Sequence, residues 1–135
     1  MMKKQFINPP ELATPRGYTH VVTTQEGKTV YVSGQIAFDV QGKIVGKNDL
    51  RRQAEQAFKN LETALSGADA TLADIVKVNI YAVNLTPQDM PIIREVRDRY
   101  FTQKHLPAST IVGVQALAIE DLLIEIEAIA VVKGG

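Results

Sequence analysis

The sequence predicts an α+β fold in which one mixed β-sheet carries two helices on one of its faces. Two segments have apolar residues at helical spacing, and each lies between segments rich in β-branched residues. The last of these segments alternates along its length, which is typical of a strand with two different faces. The predicted order of elements is β-β-α-β-α-β-β, and each helix is long enough for a right-handed crossover.

The first third of the chain predicts an arm followed by a hairpin. Residues 1–17 contain three prolines, which favours an irregular N-terminal arm. Two strands are predicted next, over residues 18–24 and 28–34. The Glu26-Gly27 pair between them is typical of a hairpin turn.

The clearest helix is predicted over residues 49–66, after a glycine-containing loop over residues 38–47. Asn48 or Asp49 can cap its start, and Gly67 suits its end. Charged residues lie outside the apolar stripe, as expected for a helix packed on a sheet. The stripe consists of Leu50, Ala54, Ala57, Phe58, Leu61, Ala64 and Leu65.

A strand over residues 75–83 and a second helix are predicted next. Thr86 is the expected N-cap of this helix, with Asp89 three residues further on. The last two strands are predicted over residues 110–116 and 122–132. The apolar stripe of the second helix consists of Met90, Ile93, Val96, Tyr100 and Phe101.

The last predicted strand shows what each face of the sheet contains. The residues expected to face the helices are Leu122, Ile124, Ile126, Ala128 and Ala130. Those expected on the other face are Leu123, Glu125, Glu127, Ile129 and Val131. A monomer that exposed so many apolar side chains beside carboxylates would carry an unusual patch. The pattern therefore predicts self-association.

Composition narrows the class of protein. The 135 residues predict a single domain, and 45% hydrophobic with 22% charged residues is typical of a globular protein. Fifteen basic and fifteen acidic residues balance, which argues against nucleic-acid and anionic-membrane partners. No apolar stretch approaches the roughly 18 residues of a membrane span, and none has the length of a signal segment. We expect a cytoplasmic protein without membrane contact.

Several kinds of site are excluded or unexpected. The chain has no cysteine, which excludes thiol nucleophiles and disulfides. His20 and His105 lie far apart in the sequence, so no metal site is expected. No phosphate loop, dinucleotide fingerprint or nucleophile elbow occurs in the sequence.

Three motifs carry a family resemblance: YVSGQI at residues 31–36, LPASTIVGV at 106–114 and IEIEAIA at 124–130. With these the chain resembles the Rid family of reactive intermediate deaminases, also called the YjgF family, over residues 18–130. The resemblance implies a chorismate-mutase-like fold and a homotrimer with sites in the clefts between subunits. It also implies cofactor-independent hydrolysis of enamine or imine metabolites.

Glu125 is the predicted catalytic residue. Its strand face also shows large apolar groups, and a carboxylate in partly apolar surroundings suits proton transfer. In the resemblance it matches the glutamate that orients the hydrolytic water. The alternative is a solvated or salt-bridged strand glutamate. Glu127, on the same face, is interpreted as structural.

Ser109 is the main departure from the family. Active members have an arginine here that clamps the substrate carboxylate bidentately, a geometry that suits arginine. A serine offers one neutral donor, and losing the clamp would cost about 10- to 100-fold or more in affinity. The substrate is therefore expected not to be the usual small 2-imino acid. Arg94 and Arg16 are candidate replacements, although Arg94 could instead pair with Asp98 on the surface.

The remaining substrate-binding candidates form the predicted wall of the site. Tyr18 matches a tyrosine that lines the family's site, and Ser33 with Gly34 matches a segment that shapes the pocket. Thr110 follows Ser109 at the start of a strand. The alternatives are a strand-edge aromatic for Tyr18 and a bulge or turn for Gly34.

Two functions remain open at this point. The first is hydrolytic deamination of an enamine or imine. The alternative is a non-catalytic trimer that binds a small metabolite. A ribonuclease, a role attached to some relatives of this family, is disfavoured by the zero net charge and the lack of a basic stripe.

Overall fold

Two α-helices and six strands form within residues 3–134, the part of the chain that the computed structural model describes. A short 3₁₀ turn over Leu72–Asp74 precedes the fourth strand. The elements are β1 (Lys3–Ile7), β2 (Val21–Gln25), β3 (Lys28–Gln35), α1 (Leu50–Ser66), β4 (Ile75–Val83), α2 (Asp89–Tyr100), β5 (Ala108–Val114) and β6 (Ile124–Val132).

A four-stranded mixed sheet with the order β3-β6-β4-β5 forms the centre of the fold. β4 and β5 run parallel, and the other neighbours are antiparallel. The apolar stripes of α1 and α2 pack on one face of this sheet and share one core with its strands. The predicted fold class, a mixed sheet with both helices on one face, is confirmed.

The predicted alternation in the last strand is also present. Ile124, Ile126 and Ala130 are buried against the helices, whereas Glu125 and Glu127 are half-buried on the opposite face. We call this opposite face of the four-stranded sheet the open face. Val131, near the end of β6, is also buried, although its place in the alternation predicts that its side chain lies on the open face.

The N-terminal region differs from the prediction. Residues 3–7 form β1 instead of an irregular arm, and β1 pairs with β2 in a separate two-stranded sheet. Glu26 and Gly27 do form a turn with positive φ angles of 64° and 100°. The strands on either side of this turn then pair elsewhere, because β3 joins β6 in the main sheet. The predicted hairpin pairing is therefore wrong, although its turn is present. Residues 1 and 2 lie outside the described part.

The start of α2 also differs from the prediction. The helix begins at Asp89 with Gln88 at its N-cap position, so Thr86 is not the cap. The Asp89 carboxylate accepts a hydrogen bond from the Thr86 amide at 2.9 Å, which forms a separate turn ahead of the helix. In contrast, α1 begins as predicted, because the Asp49 side chain accepts from the Arg52 amide at 3.1 Å. Neither helix within residues 3–134 is long and apolar enough to cross a membrane.

Two amide side chains of α1 hold the loops on either side of the site. Fully buried Gln53 donates to the carbonyl of Asp121 at 2.9 Å and accepts from the Leu123 amide at 2.8 Å. Asn60 donates to the carbonyls of Ile36 and Phe38 at 2.8 and 2.9 Å. Because residue 123 leads into β6 and residue 36 follows β3, α1 fixes the two segments that carry the predicted carboxylate and its neighbouring glycine.

Candidate active site

The predicted site residues fall into two groups at opposite edges of the main sheet. Ser33 and Gly34 lie on edge strand β3, beside Glu125 on β6. Tyr18, Arg94 and Ser109 border one cavity at β5, the other edge strand. One chain therefore does not bring the predicted catalytic carboxylate together with the predicted substrate-binding residues.

Glu125 projects from the open face against Gly34. A Cβ atom added to Gly34 would lie 2.6 Å from the Cδ atom of Glu125, so the carboxylate touches the glycine backbone. Within residues 3–134 no side chain forms a hydrogen bond or an ion pair with this carboxylate. The alternative of a salt-bridged structural glutamate therefore finds no support in the described chain.

Glu127 has different surroundings on the same face. The Tyr81 hydroxyl donates a hydrogen bond to its carboxylate, and the Asn79 amide lies 3.3 Å away. The bond to Glu127 raises the pKa of Tyr81, and the charge of Glu125 acts in the same direction. Of the two carboxylates, Glu127 is hydrogen-bonded to neighbouring strand residues, whereas Glu125 has no such bond within residues 3–134.

Replacing Gly34 with alanine should impair catalysis and leave the backbone unstrained. The new methyl group would displace the Glu125 carboxylate, whereas the φ angle of Gly34 lies outside the left-handed region. A displacement of about 1 Å can cost about 100-fold in rate. The measurement is kcat for imine hydrolysis together with the melting temperature. A loss of kcat that accompanies unfolding of the variant, seen as the loss of its melting transition, would contradict the assignment of Gly34 as the residue that leaves room for Glu125.

The second group surrounds a cavity of about 170 Å³ between α2, β5 and the segment before β2. The Ser109 hydroxyl is buried there and has no hydrogen-bond partner within the described chain. Arg94 is exposed and also borders the cavity. The lining residues are Arg16, Tyr18, Met90, Arg94, Arg97, Ser109 and Ile111.

Arg97 is a member of this group that the sequence reasoning missed. Its side chain is 7% exposed, and its Nε atom donates to Asp98 at 3.2 Å. Asp98 is therefore the partner of Arg97 and not of Arg94, contrary to the surface-pair alternative. A Cβ atom on Gly17 would lie 2.8 Å from the Arg97 Cζ atom, and Gly17 has a φ of +79°, so only glycine fits above the guanidinium. The sequence signal that could have indicated Arg97 was the presence of three arginines on one short helix.

Tyr18 is fixed beside β5 by its neighbour. Buried Thr19 donates its amide to the Pro107 carbonyl at 3.0 Å and its hydroxyl to the Leu106 carbonyl. The Tyr18 ring packs edge-on against His20, with centroids 5.2 Å apart. The segment before β2 thus brings the Tyr18 ring to the Ser109 cavity.

Thr110 does not share this cavity. It pairs with Asn79 in the sheet and is exposed on the open face, opposite to the side chain of Ser109. Its hydroxyl accepts a hydrogen bond from the Lys77 ammonium at 2.9 Å. Partial burial lowers the pKa of Lys77.

The chain is similar to several known proteins over nearly its whole length. Residues 9–132 match the family model described as Endoribonuclease L-PSP. A 2-iminobutanoate/2-iminopropanoate deaminase from Dermatophagoides farinae is 37% identical over 134 residues, which cover 98% of this chain and 100% of the relative. The crystal structure of YyfB, a protein of the conserved Rid family from Yersinia pestis, has a TM-score of 0.90 and 37% identity, and the match covers 96% of this chain and 98% of that one.

A further relative bears on location. Protein MMF1 of Saccharomyces cerevisiae, whose name describes it as mitochondrial, is 32% identical over 123 residues, which cover 91% of this chain and 81% of that protein. Since a relative this similar is named for an organelle, the cytoplasmic location stays a prediction.

Proposed function

We infer that this chain, which belongs to the Endoribonuclease L-PSP family, also called the YjgF/Rid family, hydrolyses an imine or enamine metabolite without a cofactor. The observation that carries the proposal is the Glu125 carboxylate, half-buried against Gly34 and unpaired within residues 3–134. The name of the Dermatophagoides farinae relative, an imine deaminase, supports the same class of reaction.

The site is proposed to form between subunits of a homotrimer. Glu125 and Ser109 lie near opposite edges of the sheet order β3-β6-β4-β5, so a site with both groups requires two chains. The open face supports association, because Tyr31 on this face is 77% exposed. In this arrangement Glu125 of the partner subunit faces the cavity that contains Ser109.

The chemistry needs one proton acceptor and one water molecule. Glu125 accepts a proton from water as the water oxygen bonds to the imine carbon and the C=N electron pair moves to nitrogen, and the Glu125 carboxyl then returns this proton to the nitrogen. Glu125 next takes the hydroxyl proton of the resulting carbinolamine and passes it to the amine nitrogen as the C–N bond breaks, so that the carbonyl product forms and ammonia leaves. An imine is already electrophilic, so the protein supplies orientation and proton transfer.

The substrate is proposed to differ from the usual small 2-imino acid. Ser109 offers one neutral donor where the family resemblance puts an arginine, so residue 109 cannot clamp a carboxylate bidentately. We expect 2-iminopropanoate to be a poor substrate in comparison with a larger imine or enamine.

A trapping assay tests the reaction. An amino-acid oxidase generates 2-imino acids in the presence of semicarbazide, and the purified protein competes with the trap for the imine. Less semicarbazone and more keto acid are expected for at least one larger imine. No diversion across a series of imines of increasing size would overturn the proposal, and full activity on 2-iminopropanoate would overturn the substrate assignment.

The second candidate function is a trimer that binds a metabolite without turnover. Ser109 favours it, because the residue that in active family members clamps the substrate bidentately is here a single neutral donor, which weakens the orientation that turnover needs. Saturable metabolite binding together with no diversion of any imine would establish this alternative. Hydrolysis of any imine by the parent protein that is lost in Glu125→Gln would exclude it.

The proposed trimer can be tested by light scattering during gel filtration. The expected mass is three times that of the 14.8 kDa chain. Tyr31→Glu places a charge on the open face and should shift the mass toward the monomer. Val40→Glu is the matched control, since Val40 is 94% exposed in a loop outside the sheet. Equal behaviour of the two variants would argue against association through the open face.

A further inference from the structure

Tyr18 stands between two cavities. One is the Ser109 cavity, of about 170 Å³. The other, of about 420 Å³, is lined by β1, the segment before β2 and residues 104–106, and we call it the Asn8 cavity. Because Tyr18 borders both, the orientation of its ring determines how far the Ser109 cavity is separated from the larger space.

The backbone on either side of Tyr18 is fixed, whereas its side chain is not. Gly17, with a φ of +79°, packs over the Arg97 guanidinium, and buried Thr19 donates two hydrogen bonds to the carbonyls that precede β5. The Tyr18 hydroxyl, in contrast, forms no hydrogen bond within residues 3–134. Different side-chain rotamers would point the ring toward different cavities, so another contact has to select its orientation.

The ring of His20 supplies that contact. It packs edge-on against the Tyr18 ring, with centroids 5.2 Å apart and an angle of 84° between the two planes. Such edge-to-face pairs contribute more than their buried area alone. Within residues 3–134 no other aromatic ring packs against Tyr18, so the orientation of this ring depends on residue 20.

His20 is itself held by the segment before β2. Its Nε2 atom lies 2.7 Å from the Ala13 carbonyl oxygen, and because a carbonyl only accepts, Nε2 carries a proton and donates it to this bond. The backbone amide of His20 donates to the Asn8 side chain at 2.8 Å. One bond fixes the tip of the ring and the other fixes the backbone, which keeps the imidazole against Tyr18.

We propose that His20 is a positioning residue, which holds the Tyr18 ring as a wall of the Ser109 cavity and thereby limits the size of the imine that the site accepts. His20 does not border that cavity, so it acts through Tyr18 and not on the substrate. The size limit rests on the proposed function, whereas the orientation of the Tyr18 ring does not.

An orientation that is fixed in advance strengthens binding. A wall side chain that has to be ordered when the substrate enters weakens affinity, and the scale for one side chain or one aromatic pair is about 2- to 10-fold. Without the His20 contact the Tyr18 ring can turn into the Asn8 cavity and leave more room beside Ser109. Small imines then lose affinity, and the preference shifts toward bulky ones.

Substitutions of His20 test the ring and the hydrogen bond separately. His20→Ala removes both, His20→Gln keeps a donor for the Ala13 carbonyl, and His20→Phe keeps an aromatic edge. For the smallest imine that is hydrolysed, we expect KM to rise by about 2- to 10-fold in the alanine and glutamine variants and least in the phenylalanine variant, with kcat little changed. An equal rise in all three variants, or a fall in kcat with KM unchanged, would overturn the proposal.

His105→Ala is the matched control. The His105 ring stacks on Phe6, with centroids 4.8 Å apart, and it borders the Asn8 cavity but not the Ser109 cavity. This variant should have a lower melting temperature and the same preference for imine size as the parent. An equal change of size preference in the two alanine variants would reduce the role of His20 to general stability of the N-terminal region.

A double-variant cycle shows whether His20 acts through Tyr18. A Tyr18→Ala protein has no ring to position, so the addition of His20→Ala should leave its KM unchanged. A further loss of the same size as in the parent background would show that His20 acts by another route and would sink the positioning role.

Nuclear magnetic resonance of the tyrosine ring protons gives a readout without turnover. We expect Overhauser contacts from the Tyr18 ring to the His20 ring and to the Ile111 side chain, with the contact to Ile111 weakened in His20→Ala and kept in His105→Ala. If these contacts behave so and no imine is hydrolysed, the positioning of Tyr18 stands and the proposed function fails. If imines are hydrolysed and Tyr18 keeps its contact to Ile111 in His20→Ala, the positioning role is wrong.

Discussion

Replacing Glu125 with glutamine is expected to lower kcat for imine hydrolysis by about 100- to 10,000-fold, the range typical of general acid–base catalysis. An amide of the same shape cannot accept the proton from water. The melting temperature should not change, because the carboxylate makes no hydrogen bond or ion pair within residues 3–134. Steady-state kinetics in the trapping assay and thermal unfolding provide the two measurements.

Glu127→Gln is the matched control, from the same strand and the same face. Its carboxylate accepts from Tyr81 and lies near Asn79, so the expected loss is about 1 kcal/mol of unfolding free energy with little change in kcat. If the two variants exchanged these effects, so that Glu127 governed turnover and Glu125 governed stability, the assignment of the catalytic carboxylate would be wrong.

Replacing Gln53 with leucine is expected to cause the largest loss of stability among the changes considered. Leucine has nearly the same size but leaves the carbonyls of Gly46 and Asp121 and the amide of Leu123 without their partner. Unsatisfied buried groups of this kind should cost about 2–4 kcal/mol together. This corresponds to a fall of roughly 10 °C in melting temperature for a chain of this size.

The control for this change is Gln103→Leu. Gln103 is half-buried and makes one long hydrogen bond, of 3.4 Å, to the Leu72 carbonyl. We expect a loss below about 1 kcal/mol. A similar melting temperature for the Gln53 and Gln103 variants would show that the loops at residues 46 and 121–123 do not depend on the buried amide.

Much of the fold could be read from local patterns. The stripe of α1 and the alternation of β6 record directly which side chains face the core, because burial selects apolar residues at the period of each element. Asp49 also caps α1 as its residue type predicts. These features depend on residues that are close together in the sequence, so they can be predicted from the sequence alone.

The pairing of the N-terminal strands could not be predicted from such local patterns. The Glu26-Gly27 turn has the predicted backbone, yet its two strands join different sheets. A turn signal reports local backbone preference, whereas strand partners are chosen by the edges available in the whole fold. β6 offers β3 an edge in the main sheet, and β1 pairs with β2 instead.

The sequence by itself determined which residue types are present for chemistry: Glu125 on the open face, and serine in place of arginine at position 109. The tertiary structure alone decided how they are grouped. Arg97, unremarkable in sequence, is buried beneath Gly17 and beside Ser109, because packing of α2 and the segment before β2 on β5 brings distant segments together. The separation of Glu125 from Ser109 follows in the same way from strand order, a property of long-range pairing that no local pattern encodes.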